Sequence, residues 1–133
     1  ESGKSMISNK KLFFTGKVLN VKDYLNIAEL FVLPTLNKGR KEGSPVALLE
    51  AMACAKNVIA SKIPGIKDQL EKYPDHMFEA GNIQKLSIIL EKYMSLDTSE
   101  NKNIGNKFNI HINNAYKIEH EVEKTEKVYL KLI

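Results

Sequence analysis

Leu30-Phe31-Val32-Leu33-Pro34 and Asn57-Val58-Ile59-Ala60-Ser61 stand on either side of Ser44-Pro45-Val46-Ala47-Leu48-Leu49-Glu50-Ala51-Met52-Ala53-Cys54, and the fold class follows from these three segments. The outer two are short runs of consecutive apolar residues bounded by turn or polar positions. Such runs form strands buried on both faces, as a parallel sheet between helices requires. In the middle segment Ser44 suits a helix N-cap and Pro45 the first helical position, so a helix is expected from Pro45 to Ala55. Strand, helix and strand then make one βαβ unit with a right-handed crossover.

Working outward, Lys11-Leu12-Phe13-Phe14-Thr15, closed by Gly16, reads as an earlier strand, and His76-Met77-Phe78-Glu79, ending near Gly81, as a weaker later one. Helical spacing covers Val21 to Glu29, with Leu25 and Ala28 inward, and Ile66 to Lys72. It returns from Asn82 to Met94, with Ile83, Leu86, Ile89, Leu90 and Tyr93 inward, and from about Asn113 to Ile133. The polar, Asn-rich stretch Ser95 to Asn109 reads as a loop with a short helix. The expected fold is α/β: a partial Rossmann-like, doubly wound parallel sheet with helices on both faces and a helical C-terminal extension over residues 95–133. A length of 133 residues, 43% of them apolar, suits a single domain over 1–133.

Composition removes several function classes. No apolar run reaches the roughly 18 residues of a spanning helix, and Glu1-Ser2-Gly3-Lys4-Ser5 lacks the apolar core of a signal peptide, so a soluble protein is expected. Cys54 has no partner for a disulfide; it reads as a core thiol in a reducing compartment. The net charge of +4 is almost wholly lysine, dispersed among acids, with Arg40 the only arginine. That is a poor nucleic-acid footprint, although phosphorylated ligands or acidic headgroups suit it. Gly3-Lys4-Ser5 lacks the strand and the earlier glycine of a P-loop. His76, His111 and His120 lack ligand spacing, so no metal site is expected and they read as satisfied or surface histidines.

The chemistry concentrates at Glu42-Gly43-Ser44-Pro45. A helix starting here, just after a strand and a glycine-containing loop, presents unpaired backbone N–H groups and a positive dipole end, which suit a phosphate. Glu50 is the odd residue in an otherwise apolar helix. Burial of that helix would bury the carboxylate, which then needs a partner. Its side chain leans toward the helix opening and could accept from ligand hydroxyls; equally, it could pair with a lysine across the fold. Glu42 could reach the same ligand from the loop, or be a solvated loop acid. Lys38, Arg40 and Lys41 read as a solvated basic loop.

The segment from Glu42 to Cys54 resembles the E-x7-E signature of the family 4 retaining glycosyltransferases of the GT-B fold. The resemblance extends in order to Phe13-Phe14-Thr15-Gly16-Lys17-Val18, to Asp23-Tyr24-Leu25 with Ala28 to Pro34, and to Val58-Ile59-Ala60-Ser61 with Ile63-Pro64-Gly65-Ile66, spanning about Lys11 to Leu90. It implies a C-terminal domain that holds a nucleotide diphosphate sugar, UDP- or GDP-linked, as co-substrate, with no cofactor and no metal. By that analogy Glu42 contacts the donor sugar and is the catalytic residue, Gly43, Ser44 and Pro45 bind the diphosphate, Glu50 binds the ribose, and Gly16, Lys17 and Val18 lie by the base.

The resemblance also implies an N-terminal domain supplying the acceptor site, and two opening strands with a diphosphate-binding arginine and lysine, which are expected to precede this stretch of sequence. Losing strands from a 3-2-1-4-5-6 order would separate the strand at Leu12 from that at Leu30, so a homo-oligomer, strand exchange or a rearranged sheet is expected; the isolated chain is expected to be inactive, since an acceptor site and those strands are both needed for positioning. After Cys54 the family usually carries a glycine where this chain has Ala55. The expected role is sugar transfer to a glycan or lipid-linked acceptor in cell-surface polysaccharide biosynthesis, in the cytoplasm or peripherally at the inner face of the membrane. The alternative from another class is a flavodoxin-like, non-catalytic phosphate-binding or interaction module. The stripe Tyr116, Ile118, Val122, Val128, Tyr129 and Leu132 is read first as core packing; the resemblance implies a final helix that crosses back to the N-terminal domain, and without that domain the stripe could be exposed or pair with another chain.

Overall fold

The computed structural model describes residues 13–36, 38 and 43–132. Among them the helices are α1 (Val21–Ile27), α2 (Val46–Ala53), α3 (Pro64–Gln69), α4 (Ile83–Met94), α5 (Thr98–Ala115) and α6 (Ile118–Leu130), with a single 3-10 turn at Pro74–His76. The strands β1 (Leu30–Leu33), β2 (Asn57–Ser61) and β3 (Met77–Phe78) form a parallel sheet in the order β1-β2-β3. Leu30 lies opposite Asn57 and Leu33 opposite Ala60, while Ala60 and Ser61 face Met77 and Phe78.

Side chains alternate across β2, and this alternation divides the core into two layers. Val58 and Ala60 enter the layer built by Leu48, Ala51 and Met52 of α2, by Ile66 and Leu70, and by Phe108 and Ile112 of α5. Ile59 enters the other, with Phe78 and with Ile89 and Tyr93 of α4. All five β2 residues are buried, as expected of a strand covered by helices on both faces. β1, paired on one side only among the described residues, is half-buried throughout.

Several expectations change. Lys11 and Leu12 lie outside the described residues, and Phe13, Phe14 and Thr15 are exposed and not in a strand. A strand needs a neighbour's hydrogen-bonding edge, and no described strand pairs with them. Ile83, expected inward, is exposed because it opens α4 ahead of the turn that meets the sheet; Ile89 and Tyr93 carry the burial.

The stretch from Ser95 is not a loop. Asp97 accepts from the Glu100 backbone N–H while the Glu100 side chain accepts from that of Asp97, a capping box that starts the 18-residue α5. Asparagines on its outer face hid a buried line of Gly105, Phe108 and Ile112, so α5 belongs to the core. The last helix accordingly begins at Ile118, not Asn113, and Tyr116, Val122, Val128, Tyr129 and Leu132 are exposed and not packed into the core.

The end of α2 shows why the missing glycine matters. The Ala55 N–H donates to Met52 O and the Lys56 N–H to Ala51 O, both at 3.0 Å, which is a Schellman ending with Ala55 in the left-handed position at φ 54°. An L-residue with a Cβ is strained there. Ala55→Gly is expected to stabilise the protein by about 0.5–1 kcal/mol, read as a rise in the denaturant midpoint at unchanged slope. No change would mean that the turn relaxes in solution.

Candidate functional site at the opening of helix α2

Because the strands are parallel, β1 delivers the chain to the carboxyl edge of the sheet, and α2 starts from that edge on its way back. In open α/β sheets ligands bind at this edge. Pro45 holds the N-cap position with φ −68° and ψ 114°, and no side chain caps the helix. Ser44 therefore does not cap it, contrary to expectation. Its Oγ instead accepts from Gln69 Nε2 at 2.7 Å. The Leu48 N–H donates to Pro45 O at 3.2 Å, while the Val46 and Ala47 N–H groups have no acceptor among the described residues and stay open to an anion. Gly43 and Ser44 are exposed, Pro45 is buried, and a Cβ on Gly43 would meet nothing within 4 Å, so there is room above the helix end.

Glu50 is exposed, which corrects the expectation of a buried carboxylate. α2 buries only one face, Leu48, Ala51 and Met52; Val46, Ala47, Glu50 and Ala53 form the other. An apolar composition on both faces suggested full burial, but the sheet covers one side alone. Among the described residues Glu50 makes no ion pair, so the lysine partner weighed from the sequence is not found.

Glu42, Arg40 and Lys41 lie outside the described residues. Lys38 is exposed, as a solvated loop cation should be. Gly16 has φ +66° and is exposed with Lys17, while Val18 is half-buried. No hydrogen bond among the described residues joins Gly16, Lys17 or Val18 to the opening of α2.

Two buried polar atoms near this edge were not anticipated. Ser61 Oγ, at the carboxyl end of β2, and Oε1 of Gln69 lack hydrogen-bond partners among the described residues. Gln69 is legible in retrospect: it stands three residues after Ile66 and beside Leu70, on the inward line of α3. A hollow of about 100 Å³ between Pro34, Leu36, Phe78 and Ile83 adds to the concavity of the same edge. A larger cleft, about 180 Å³, lies at the opposite edge, where Glu29 precedes β1 and Lys56 precedes β2. It is remote from the α2 opening and carries none of the motif residues.

His76 belongs to that opposite edge. Its Nδ1 is 2.8 Å from Val58 O, and its Nε2 is 2.9 Å from the Tyr93 hydroxyl. The carbonyl can only accept, so Nδ1 carries the proton and Nε2 accepts from Tyr93. It is a satisfied core histidine. No group of three or more potential metal ligands occurs among the described residues. Cys54 is half-buried against the core.

An α/β unit with an uncapped helix opening at the carboxyl edge of a parallel sheet has the architecture of a Rossmann-like domain. The chain belongs to the glycosyl transferases group 1 family, whose sequence pattern matches residues 4–109. It is similar to TuaC of Bacillus subtilis (strain 168), a glycosyltransferase assigned to teichuronic acid biosynthesis, with 33% identity over 92 residues, 68% of this chain and 23% of that protein. It is also similar to the amylovoran biosynthesis glycosyltransferase AmsK of Erwinia amylovora, with 40% identity over 73 residues, 53% of this chain and 18% of that protein. The matched region thus spans about a fifth of the length of these relatives. No described helix is long and apolar enough to cross a membrane.

Proposed function

We propose that the chain is the donor-binding part of a retaining, family 4 type GT-B glycosyltransferase that moves a hexosyl group from a UDP- or GDP-sugar to a glycan or lipid-linked acceptor in cell-surface polysaccharide biosynthesis. The observation that carries this reading is the uncapped opening of α2, with Gly43 and Ser44 exposed before it and Glu50 exposed along it. Charge builds on the diphosphate as the glycosidic bond to it breaks. Backbone N–H groups fixed at the helix opening stabilise that charge without having to reorient. Glu50 accepts from the ribose diol, and Glu42 contacts the donor sugar at the reacting end. Gly16, Lys17 and Val18 lie by the base.

The acceptor site comes from an N-terminal domain across a cleft, and neither a cofactor nor a metal takes part. The protein works in the cytoplasm, peripherally at the inner face of the membrane, and binds no nucleic acid. The open edge of β1 is where strands of the whole enzyme, or of a second copy, add to the sheet.

Isothermal titration of the protein with UDP, GDP and their sugar conjugates tests this reading. One nucleotide should bind, and Glu50→Ala should weaken it by about 1–3 kcal/mol without lowering the unfolding temperature, because Glu50 is exposed. Glu42→Ala should weaken the sugar conjugate more than the free nucleotide. Absence of binding to every nucleotide would sink the donor-site reading.

A further inference from the structure

The Ser44–Gln69 contact has a direction. A hydroxyl offers one proton and two lone pairs, and Gln69 Nε2 occupies a lone pair at 2.7 Å. The Ser44 proton is therefore left to donate elsewhere, and no described residue accepts it. Ser44 is exposed at the mouth of α2, beside the uncapped N–H groups. Apart from the Leu48 N–H, which Pro45 O takes at 3.2 Å, the polar hydrogens of the described residues there, on Val46 N, Ala47 N and Ser44 Oγ, have no described acceptor, which suits an anion with acceptor oxygens and disfavours a ligand group that must donate.

Gln69 is 1% exposed, and its Oε1 is buried without a partner among the described residues. A buried carboxamide half satisfied is costly, and an aliphatic side chain would fill the place without that cost. What distinguishes glutamine from leucine or methionine at this position is its remaining hydrogen bond. That bond goes to Ser44, 25 residues earlier in the chain.

We infer that Gln69 is a positioning residue for the diphosphate site: from the core it orients the Ser44 hydroxyl so that its proton faces a phosphate oxygen at the opening of α2. The inference rests on the donor-site reading above, since it needs an anion there. It extends the site inward to a side chain that no ligand touches.

The test is a double-mutant cycle read by titration of the protein with UDP and GDP, with uridine and guanosine as phosphate-free controls. Gln69→Met keeps the volume and removes the amide donor. It should weaken the diphosphate about tenfold, leave the nucleoside unchanged, and add little in a Ser44→Ala background, because the two changes remove one interaction. Gln69→Glu keeps the shape but draws the Ser44 proton inward and adds a negative charge, so it should weaken the diphosphate further. If Gln69→Met does not fold, Gln69→Glu read against Ser44→Ala decides alone. Unchanged diphosphate affinity in the Gln69 variants, equal losses for diphosphate and nucleoside, or additive effects of the two positions would overturn the positioning role while leaving the donor site standing. No diphosphate binding by the unmodified protein would overturn both.

Discussion

Gly105→Ala should lower the unfolding temperature by roughly 10 °C or more, a loss of about 3 kcal/mol. In an isolated helix the same change would stabilise by up to about 1 kcal/mol, since glycine is a poor helix former. Tertiary packing reverses the sign. α5 crosses the end of α2 so closely that a Cβ on Gly105 would collide with the carbonyl oxygen of Ala55 and lie 2.6 Å from its carbonyl carbon. Both are backbone atoms, and Ala55 is already held in a strained turn by its own N–H bond to Met52 O and by that of Lys56 to Ala51 O. Nothing nearby can swing aside as a side-chain end would. Asn109, one turn further along α5, donates to Ala53 O at 2.6 Å and ties the same two helices together. Asn106→Ala, on the exposed side of α5, is the control and should be neutral or slightly stabilising. Equal melting temperatures for Gly105→Ala and the unmodified protein would show that α5 does not seat on the end of α2.

His76→Phe should cost about 2–4 kcal/mol at neutral pH and remove part of the protein's acid sensitivity. The ring would still pack between Tyr93, stacked on it at 4.5 Å between centroids, and Phe108, edge-on at 4.9 Å. The hydrogen bonds would not survive, leaving Val58 O and the Tyr93 hydroxyl buried with a partner lost. Burial holds the imidazole pKa below its ordinary 6.5, against the pull of the Val58 hydrogen bond; nearby Lys92 lowers it further and Asp75 raises it. Tyr93 is pushed up to about 12, chiefly by burial and then by Asp75, so it remains a donor throughout.

The sign of the pH effect follows from that depressed value. Above about pH 6.5 the histidine is neutral in the folded and unfolded chains alike, and its contribution to stability is complete. As the pH falls below 6.5 the unfolded chain takes up the proton first, so stability declines until the folded-state pKa is passed and then levels off. Unfolding midpoints between pH 7.5 and 5 should fall for the unmodified protein and fall less for His76→Phe. Parallel curves would mean that other groups carry the acid response.

Much of this protein follows from its sequence alone. Consecutive apolar residues in Leu30–Leu33 and Asn57–Ser61 point to parallel strands between helices, and Gly43-Ser44-Pro45 before Val46 to a helix opening at that sheet's edge. Family membership is carried by the same residues in the same order. Which face of each helix meets the sheet is a different matter. Val46 and Leu48 are equally apolar, yet one is exposed and the other fully buried, and Glu50 shares the outward side. Asn-rich α5 proved to be a core helix because a single line through Gly105, Phe108 and Ile112 suffices once another helix end is there to receive it. Phe13 and Phe14 look as strand-like as Phe31, but a strand is a property of a pair, and the partner edge is not encoded in the segment itself. The contact from Gln69 to Ser44 joins residues whose separation in sequence gives no periodic signal, so only the tertiary fold could bring that amide to the residue before the helix opening.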